Sequence, residues 1–266
     1  YTEDMNTSSL GRLLLEHQLR GAAERGELLL HYQPKVSAAD GRLGGFEALL
    51  RWQHPELGMV APGQFIPLAE ESGLIVPIGQ WVLEEACRQQ RAWLDAGFDV
   101  PPLAVNLSAH QLAQPDIVAT VAAAIECHRL APGLIELELT ETMLMRDVDR
   151  TIRTLVRLRE MGVRLAIDDF GTGYSSLNYL RQFPVNALKI DRSFVSDIGS
   201  DGAEGKIAAA IVGMAHSLGL DAVAEGVESE AQRAFLQMHG CHQLQGFLIA
   251  RPAPAREIER FLSRRA

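Results

Sequence analysis

Asp168 and Asp169 stand side by side at the end of an apolar run (Val163, Leu165, Ala166, Ile167) and lead into the turn Phe170-Gly171-Thr172-Gly173-Tyr174. A strand that finishes on paired acid before a glycine-rich turn delivers oxygen ligands to a loop, which is how many metal sites are built. The pattern recurs: strand-like runs also finish on polar or charged groups near Glu47, Asn106, Glu138, Lys189, Glu225 and Gln245. In a closed parallel barrel the C-terminal strand ends share one face, where the active site of such folds lies. Glu47, Glu138, Asp168, Asp169 and Glu225 then meet at one mouth, with Asn106 as a neutral oxygen donor. Two unit charges 4 Å apart repel by about 4 kcal/mol at an effective dielectric of 20, so the cluster requires cations. An all-oxygen donor set selects Mg²⁺ or Mn²⁺ over zinc, and adjacent aspartates can serve two ions at once. Two such ions about 3.5–4 Å apart favour in-line attack on phosphorus, leaving Lys189 to orient the water or stabilise phosphate charge.

Taken singly, an acid after a strand is more often a helix cap or a surface charge, so the argument rests on the set. The Gly171-Thr172-Gly173 run alone is a weak phosphate-loop signal. Lys189 is more telling. It sits in the apolar run Leu188-Lys189-Ile190, where a lysine is costly unless paired. The eight histidines show no paired ligand spacing, and Met143 and Met145 suit packing.

Hydrophobic periodicity places the strands that position these groups at Leu28 to Val36, Leu43 to Trp52, Leu103 to Leu107, Ile135 to Leu139, Val163 to Ile167, Ala187 to Ile190, Ala222 to Ala224 and Leu244 to Ile249. Only Ser37 to Arg42 separates the first two, too short for a crossover helix, so that pair is an antiparallel hairpin. Helices are expected over Pro77 to Ala96, Pro115 to Arg129, Asp147 to Met161, Ala203 to Leu218, Ser229 to His239 and Ala255 to Arg264. Ser229 with Gln232 forms a capping-box pattern, and Gly162, Gly219 and Gly240 suit helix C-termini. An initial helix, Leu10 to Arg25, reads as a linker joining an upstream domain, so residues 1–26 are assigned to the linker and 27–266 to one α/β barrel domain.

The bulk numbers agree with one large domain: 266 residues, 47% hydrophobic, with no apolar stretch near the roughly 20 residues that span a bilayer. Lys plus Arg number 25 against 34 Asp plus Glu, a net charge of −9, which argues against binding DNA or RNA polymers. Three widely spaced cysteines, Cys87, Cys127 and Cys241, fit neither a disulfide framework nor a thiolate zinc site. A cytoplasmic domain is expected, one that can belong to a membrane-anchored protein.

With those residues placed, the chain resembles the EAL domain, the bacterial cyclic di-GMP phosphodiesterase module. The likeness runs from Leu28 to about Pro254 through Tyr32-Gln33-Pro34-Lys35, Glu47-Ala48-Leu49-Leu50-Arg51-Trp52, Asn106-Leu107-Ser108, Glu138-Leu139-Thr140-Glu141, Asp168 to Leu177, Leu188-Lys189-Ile190-Asp191, Ala224-Glu225-Gly226-Val227-Glu228 and Gln245-Gly246-Phe247. The resemblance implies a TIM-like (β/α)8 barrel with one antiparallel strand. It implies metal ligands at Glu47, Asn106, Glu138, Asp168 and Asp169, Lys189 on the catalytic water, and Glu225 as either a general base or a water-mediated metal partner. Arg51 is implied to contact substrate phosphate, with Gln33 and Gln245 lining the substrate groove. Glu141 is implied to steady the loop Phe170, Gly171, Thr172, Gly173 to Ser176, which in this family couples the metals to a dimer interface. The lead Tyr1 to Met5 resembles the junction after a GGDEF domain, so an upstream sensory or GGDEF domain and a homodimer are expected.

Asn186 stands where the family commonly has an acid, and His242 where it often has Asp; neither is an expected ligand. The activity implied is Mg²⁺- or Mn²⁺-dependent opening of cyclic di-GMP to linear pGpG. The rival is a non-catalytic cyclic di-GMP receptor, which a lost ligand would favour, and every ligand position is intact. An enolase-like barrel is a third possibility, against which the ordered motifs argue.

Overall fold

The computed structural model describes residues 3–172, 177–198 and 205–264. Its strands are β1 (Leu28–Ser37), β2 (Leu43–His54), β3 (Gly58–Val60), β4 (Phe98–Asp99), β5 (Leu103–Asn106), β6 (Ile135–Thr140), β7 (Arg164–Phe170), β8 (Ala187–Ile190), β9 (Asp221–Ala224), β10 (Gln243–Leu244) and β11 (Ser263–Arg264). Eight of them close a ring in the order β1-β2-β5-β6-β7-β8-β9-β10, with β10 returning to β1 and β3 hydrogen-bonded outside β2. β1 is antiparallel to both neighbours, and every other pairing in the ring is parallel. The reversal follows from the tight β1–β2 connection, where Gly41 takes φ +72° and Ser37 N–H donates to the Arg42 carbonyl at 2.8 Å.

The sequence Ile135-Glu-Leu-Glu-Leu-Thr140 shows how the ring is sealed. Leu137 and Leu139 are almost wholly buried, and so are Glu136 and Glu138, which alternate with them. Alternate strand residues face opposite sides, so the leucines pack outward beneath helices while the glutamates enter the ring. The main apolar core therefore lies between strands and helices. Within the ring a small separate cluster, Ala166, Ala187 and Val223, leaves space for long charged side chains. The chief covering helices are Ile75–Asp95, Ile117–Cys127, Val148–Glu160, Lys206–Ser217 and Glu230–Met238. The Ser229 and Gln232 capping box is present in full, and Gly162, Gly219 and Gly240 all have positive φ at helix ends.

Several sequence boundaries are corrected. The Leu244 to Ile249 strand ends at Leu244, because the chain turns at Gly246. A Cβ there would stand 2.1 Å from the Val227 carbonyl oxygen, a closeness only glycine permits. Leu248 and Ile249 thus pack within a turn. The helix expected over Ala255 to Arg264 stops at Ile258, passes through a 3-10 turn, Glu259–Phe261, and ends as β11 against β4. The first helix is Glu3–Leu19 rather than Leu10 to Arg25; Gly21, with φ +76°, follows its end, and Arg25 folds back onto the Arg20 carbonyl at 2.9 Å. The fourth outer helix begins at Lys206, and Ala203 lies outside the described residues. β3 and the helix Pro62–Glu71 were not anticipated: three strand residues are too few to show a period, and Pro67 lies inside that helix. No described helix is long and apolar enough to cross a membrane.

Trp93 joins the outer layer to the reversed strand, its ring centroid 5.1 Å from Tyr32 and 5.4 Å from Phe46. Trp93→Ala is expected to lower stability by about 3–5 kcal/mol through the cavity it leaves. Urea unfolding measures this, and a loss under about 1 kcal/mol would mean the core relaxes into the gap.

Candidate active site

Each barrel strand brings its polar group to the same end of the ring. Asn106 is the last residue of β5, directly opposite Glu138 on β6. Gln33 on the reversed strand pairs with Glu47 on β2. Asp168 and Asp169 lie near the end of β7, Lys189 within β8, and Glu225 and Gln245 just beyond β9 and β10.

Lys189 is the hub. It is 1% exposed, and its Nζ lies 2.6 Å from Glu138 Oε2, 2.6 Å from Glu225 Oε1, 3.0 Å from Asp168 Oδ1 and 3.7 Å from Glu47 Oε2. Burial alone would lower its pKa, but Asp168, Glu138, Glu225 and Glu47 hold it well above the ordinary lysine value. It is an ammonium. Glu47 is fixed further by Asn106 Nδ2, which donates to Oε1 at 2.7 Å, and by Gln245 Nε2, which donates to Oε2 at 2.6 Å. Against the effect of burial, Lys189, Gln245 and Asn106 keep the Glu47 carboxyl below its usual value. Gln245 Nε2 also donates to Gln33 Oε1 at 3.0 Å, and Gln33 in turn donates to the Ala250 carbonyl at 3.0 Å.

The remaining acids are less well compensated. Burial, with Glu47 and Asp168 nearby, pushes Glu138 well up despite two lysines. Burial pushes Glu225 up to about 8, with Asp168 and Glu47 adding to it against the pull of Lys189. Asp169 rises to about 6, through burial first and then Asp168 and Asp191. Its backbone adopts φ +53°, a left-handed conformation that is unusual outside glycine and is maintained only by its surroundings.

This donor set fits divalent cations. One carboxylate oxygen each from Asp168, Asp169 and Glu225 lie within 4.8 Å of one another, and every candidate ligand atom is oxygen. Two buried ammoniums, Lys35 and Lys189, are paired with five carboxylates, Glu47, Glu136, Glu138, Asp168 and Glu225, so acidic groups outnumber them.

Above the cluster opens a cavity of about 700 Å³, lined by Gln33, Glu47, Asp168, Glu225 and Gln245 from the expected set. Arg192, Ser193, Ser196 and Pro252, to which the sequence reading gave no site role, also line it, as do Glu228 and Phe247, which stood in its motifs without one. Asp191 was a usable signal for the first of these, since it caps the helix Arg192–Ser196 through the Ser193 N–H at 3.0 Å. Phe247 lies under the Arg251 guanidinium, 4.2 Å from its ring centroid. Arg51 is not among the lining residues; it is half-buried on β2 and donates to the Leu50 carbonyl at 2.9 Å. Glu141, just beyond β6, accepts from the Gly171 N–H at 2.8 Å, and Thr172 Oγ1 donates to the Asp169 carbonyl at 2.8 Å. Phe170 is buried, whereas Gly173 and the rest of the loop to Ser176 lie outside the described residues. Asn186 accepts from the Leu165 N–H and His242 Nδ1 from the Ala222 N–H, so both serve strand ends far from the mouth.

A barrel of parallel strands with one reversed, carrying carboxylates and a buried lysine at the strand ends, defines a barrel with an acidic mouth able to hold divalent cations. The family model of the EAL domain matches residues 16–252, and the chain belongs to that family. It is 52% identical over 258 residues to the bifunctional diguanylate cyclase/cyclic di-GMP phosphodiesterase MucR of Pseudomonas aeruginosa, covering 97% of this chain and 38% of that one. It is 48% identical to the cyclic di-GMP phosphodiesterase NbdA of the same organism, covering 94% of this chain and 32% of NbdA. It is 41% identical to the cyclic di-GMP phosphodiesterase PdeR of Escherichia coli, covering 99% of this chain and 40% of PdeR. The chain thus spans well under half the length of these relatives. A solved structure of the P. aeruginosa MucR phosphodiesterase in complex with c-di-GMP superposes with TM-score 0.89 at 53% identity, covering 92% of this chain and 99% of that one.

Protons and metal compete for the same carboxylates. With Glu225 near 8 and Asp169 near 6, the metal-free cluster holds protons at neutral pH that a cation must displace. Mn²⁺ affinity is therefore expected to rise with pH as Asp169 and then Glu225 ionise, levelling off only once pH exceeds about 8, with proton release visible in calorimetry across buffers of different ionisation enthalpy. A flat profile would show that these carboxyls take no part in binding.

Proposed function

We propose that this domain is a phosphodiesterase that opens cyclic di-GMP to linear pGpG with two Mg²⁺ or Mn²⁺ ions bound at its mouth. The observation that carries this is the complete oxygen cluster around Lys189 on the floor of a cavity large enough for a nucleotide. The family and the ligand named for the MucR structure support it. Glu47, Asn106, Glu138, Asp168 and Asp169 hold the ions, which when bound activate water and neutralise the developing phosphate charge. Lys189, whose three N–H groups here serve Glu138, Glu225 and Asp168, would turn one of them from Asp168 to the attacking water and fix its direction. Glu225 either takes the proton as the water oxygen bonds to phosphorus and the P–O bond to the leaving sugar breaks, or meets the ions through water; its contact with Lys189 at 2.6 Å and its grouping with Asp168 and Asp169 support a role beside the water. Gln33 and Gln245 orient the substrate. Gln245 Oε1 is buried and accepts from no group among the described residues, which leaves it open to a ligand donor. Arg51, which gives Nη1 to the Leu50 carbonyl, contacts substrate phosphate through its other guanidinium donors.

Incubation with cyclic di-GMP and Mg²⁺ or Mn²⁺, followed by chromatography, is expected to yield pGpG, with turnover abolished by excess chelator. Ca²⁺, larger and less demanding of octahedral geometry, is expected to bind without turnover. Lys189→Ala is expected to lower kcat far more than it changes KM. Binding of cyclic di-GMP with no product under any of these metals would establish a receptor instead.

The domain is further proposed to act as a homodimer beside an upstream sensory or GGDEF domain, with residues 1–26 as the linker. The short coverage of its longer relatives supports the second part. Glu141, by accepting from the Gly171 N–H, ties the loop that follows Asp168 and Asp169 on β7 to the end of β6. Glu141→Ala is expected to reduce both metal affinity and specific activity while the barrel stays folded. Light scattering across protein concentration, run beside activity, tests the coupling; a fully active variant or a strictly monomeric active chain would refute it.

A further inference from the structure

Lys35 belongs to the run Tyr32-Gln33-Pro34-Lys35, and no step of the proposed hydrolysis uses it. It is 3% exposed and enters the ring beneath the mouth. The backbone makes room for it. Lys35 pairs across the ladder with Gly45, where a Cβ would stand 3.1 Å from Lys35 Cε and 3.1 Å from the Pro102 carbonyl oxygen. Its Nζ lies 2.6 Å from Glu136 Oε1 and 3.3 Å from Glu138 Oε1. The other oxygen of Glu138 takes Lys189 at 2.6 Å, so ammoniums grip this carboxylate at both ends. The ladder continues to the barrel base, where Arg164 reaches Glu136 at 3.2 Å and Asp221 at 3.6 Å.

We propose that Lys35 is a positioning residue for the catalytic cluster, anchoring Glu138 from below so that Lys189 stays level with Asp168 and Glu225 and Glu138 keeps one face toward the cations. The inference rests on the phosphodiesterase reading of the mouth. Without Lys35, Glu138 Oε1 has no donor at that distance, and the carboxylate swings with Lys189 as its remaining partner. Small displacements of this kind carry large rate penalties. The direction of the metal effect separates positioning from simple charge. A buried cation near the site repels metal, so removing it through the field alone would tighten Mn²⁺ binding, whereas losing an anchor for a ligand weakens it.

The test compares Lys35→Met and the double variant Lys35→Met/Glu136→Gln with the wild-type chain, by Mn²⁺ calorimetry, thermal unfolding and steady-state kinetics. Lys35→Met is expected to lose about tenfold or more in both Mn²⁺ affinity and kcat, as when other supporting partners of metal ligands are removed. KM should stay within about twofold, because substrate groups are untouched. The double variant removes the stranded Glu136 charge and is expected to regain thermal stability but neither kcat nor Mn²⁺ affinity. Should Lys35→Met not fold, the double variant carries both measurements. Unchanged or tighter Mn²⁺ binding, or a double variant that recovers kcat and affinity along with stability, would overturn the proposal and leave Lys35 a counterion of Glu136. A wild-type chain that binds Mn²⁺ but hydrolyses no cyclic di-GMP defeats the phosphodiesterase reading alone, and the calorimetry still decides the role of Lys35.

Discussion

One buried ammonium sets the terms for this barrel. Lys189 is enclosed by Glu47, Glu138, Asp168 and Glu225, each from a different strand or strand end. Isolated in an apolar interior, any of these ions would be strongly destabilising. Together they form a network whose geometry requires all four segments to be in register. The price is incomplete compensation, visible in the raised carboxyls of Glu138, Glu225 and Asp169. A cluster left short of positive charge is prepared for divalent cations, and the same shortage makes its metal-free form the less comfortable state.

The strand architecture follows from that requirement. Ordinary soluble sheets turn polar residues to water, but here the alternation in Ile135–Thr140 sends leucines out to the helices and glutamates into the ring. The interior can hold them because small residues, Ala166, Ala187 and Val223, occupy part of the cross-section. Long side chains then reach across that space: Lys35 from the reversed strand, Lys189 from the opposite arc.

Much of this was legible in the sequence because strand ends carry local signals. The apolar run before Asp168, the lysine inside Leu188-Lys189-Ile190, and the six-residue connection after β1 each point to a structural fact without knowledge of distant contacts. What escaped depends on tertiary approach. Gly246 turns the chain because Val227 lies against it, so Leu248 and Ile249 read as strand yet fold as turn. Ser263 and Arg264 leave the helical path because β4 offers them Asp99 and Phe98 as partners, far back in the chain, a pairing no local pattern encodes. The outer walls of the cavity include Arg192, on a helix of only five residues, and Phe247, in a turn, and segments so short carry no period that would aim them at the mouth. Lys35 was visible as a motif residue, but its partners, Glu136 and Glu138, are 101 and 103 positions away.

The reversed strand makes the ring close between the two ends of the domain. β1 meets β10, and the bond from Gln245 to Gln33 joins residues 212 positions apart. During synthesis, Glu47 and Lys189 leave the ribosome well before Gln245 does, so the mouth lacks a wall until the last strand arrives. Pairings of such long range form late and slowly. A chain ending short of β10 would carry Glu47, Glu138, Asp168 and Lys189 but lack the Gln245 that donates to Glu47 and Gln33, so the order of the acidic pocket depends on the far end of the domain.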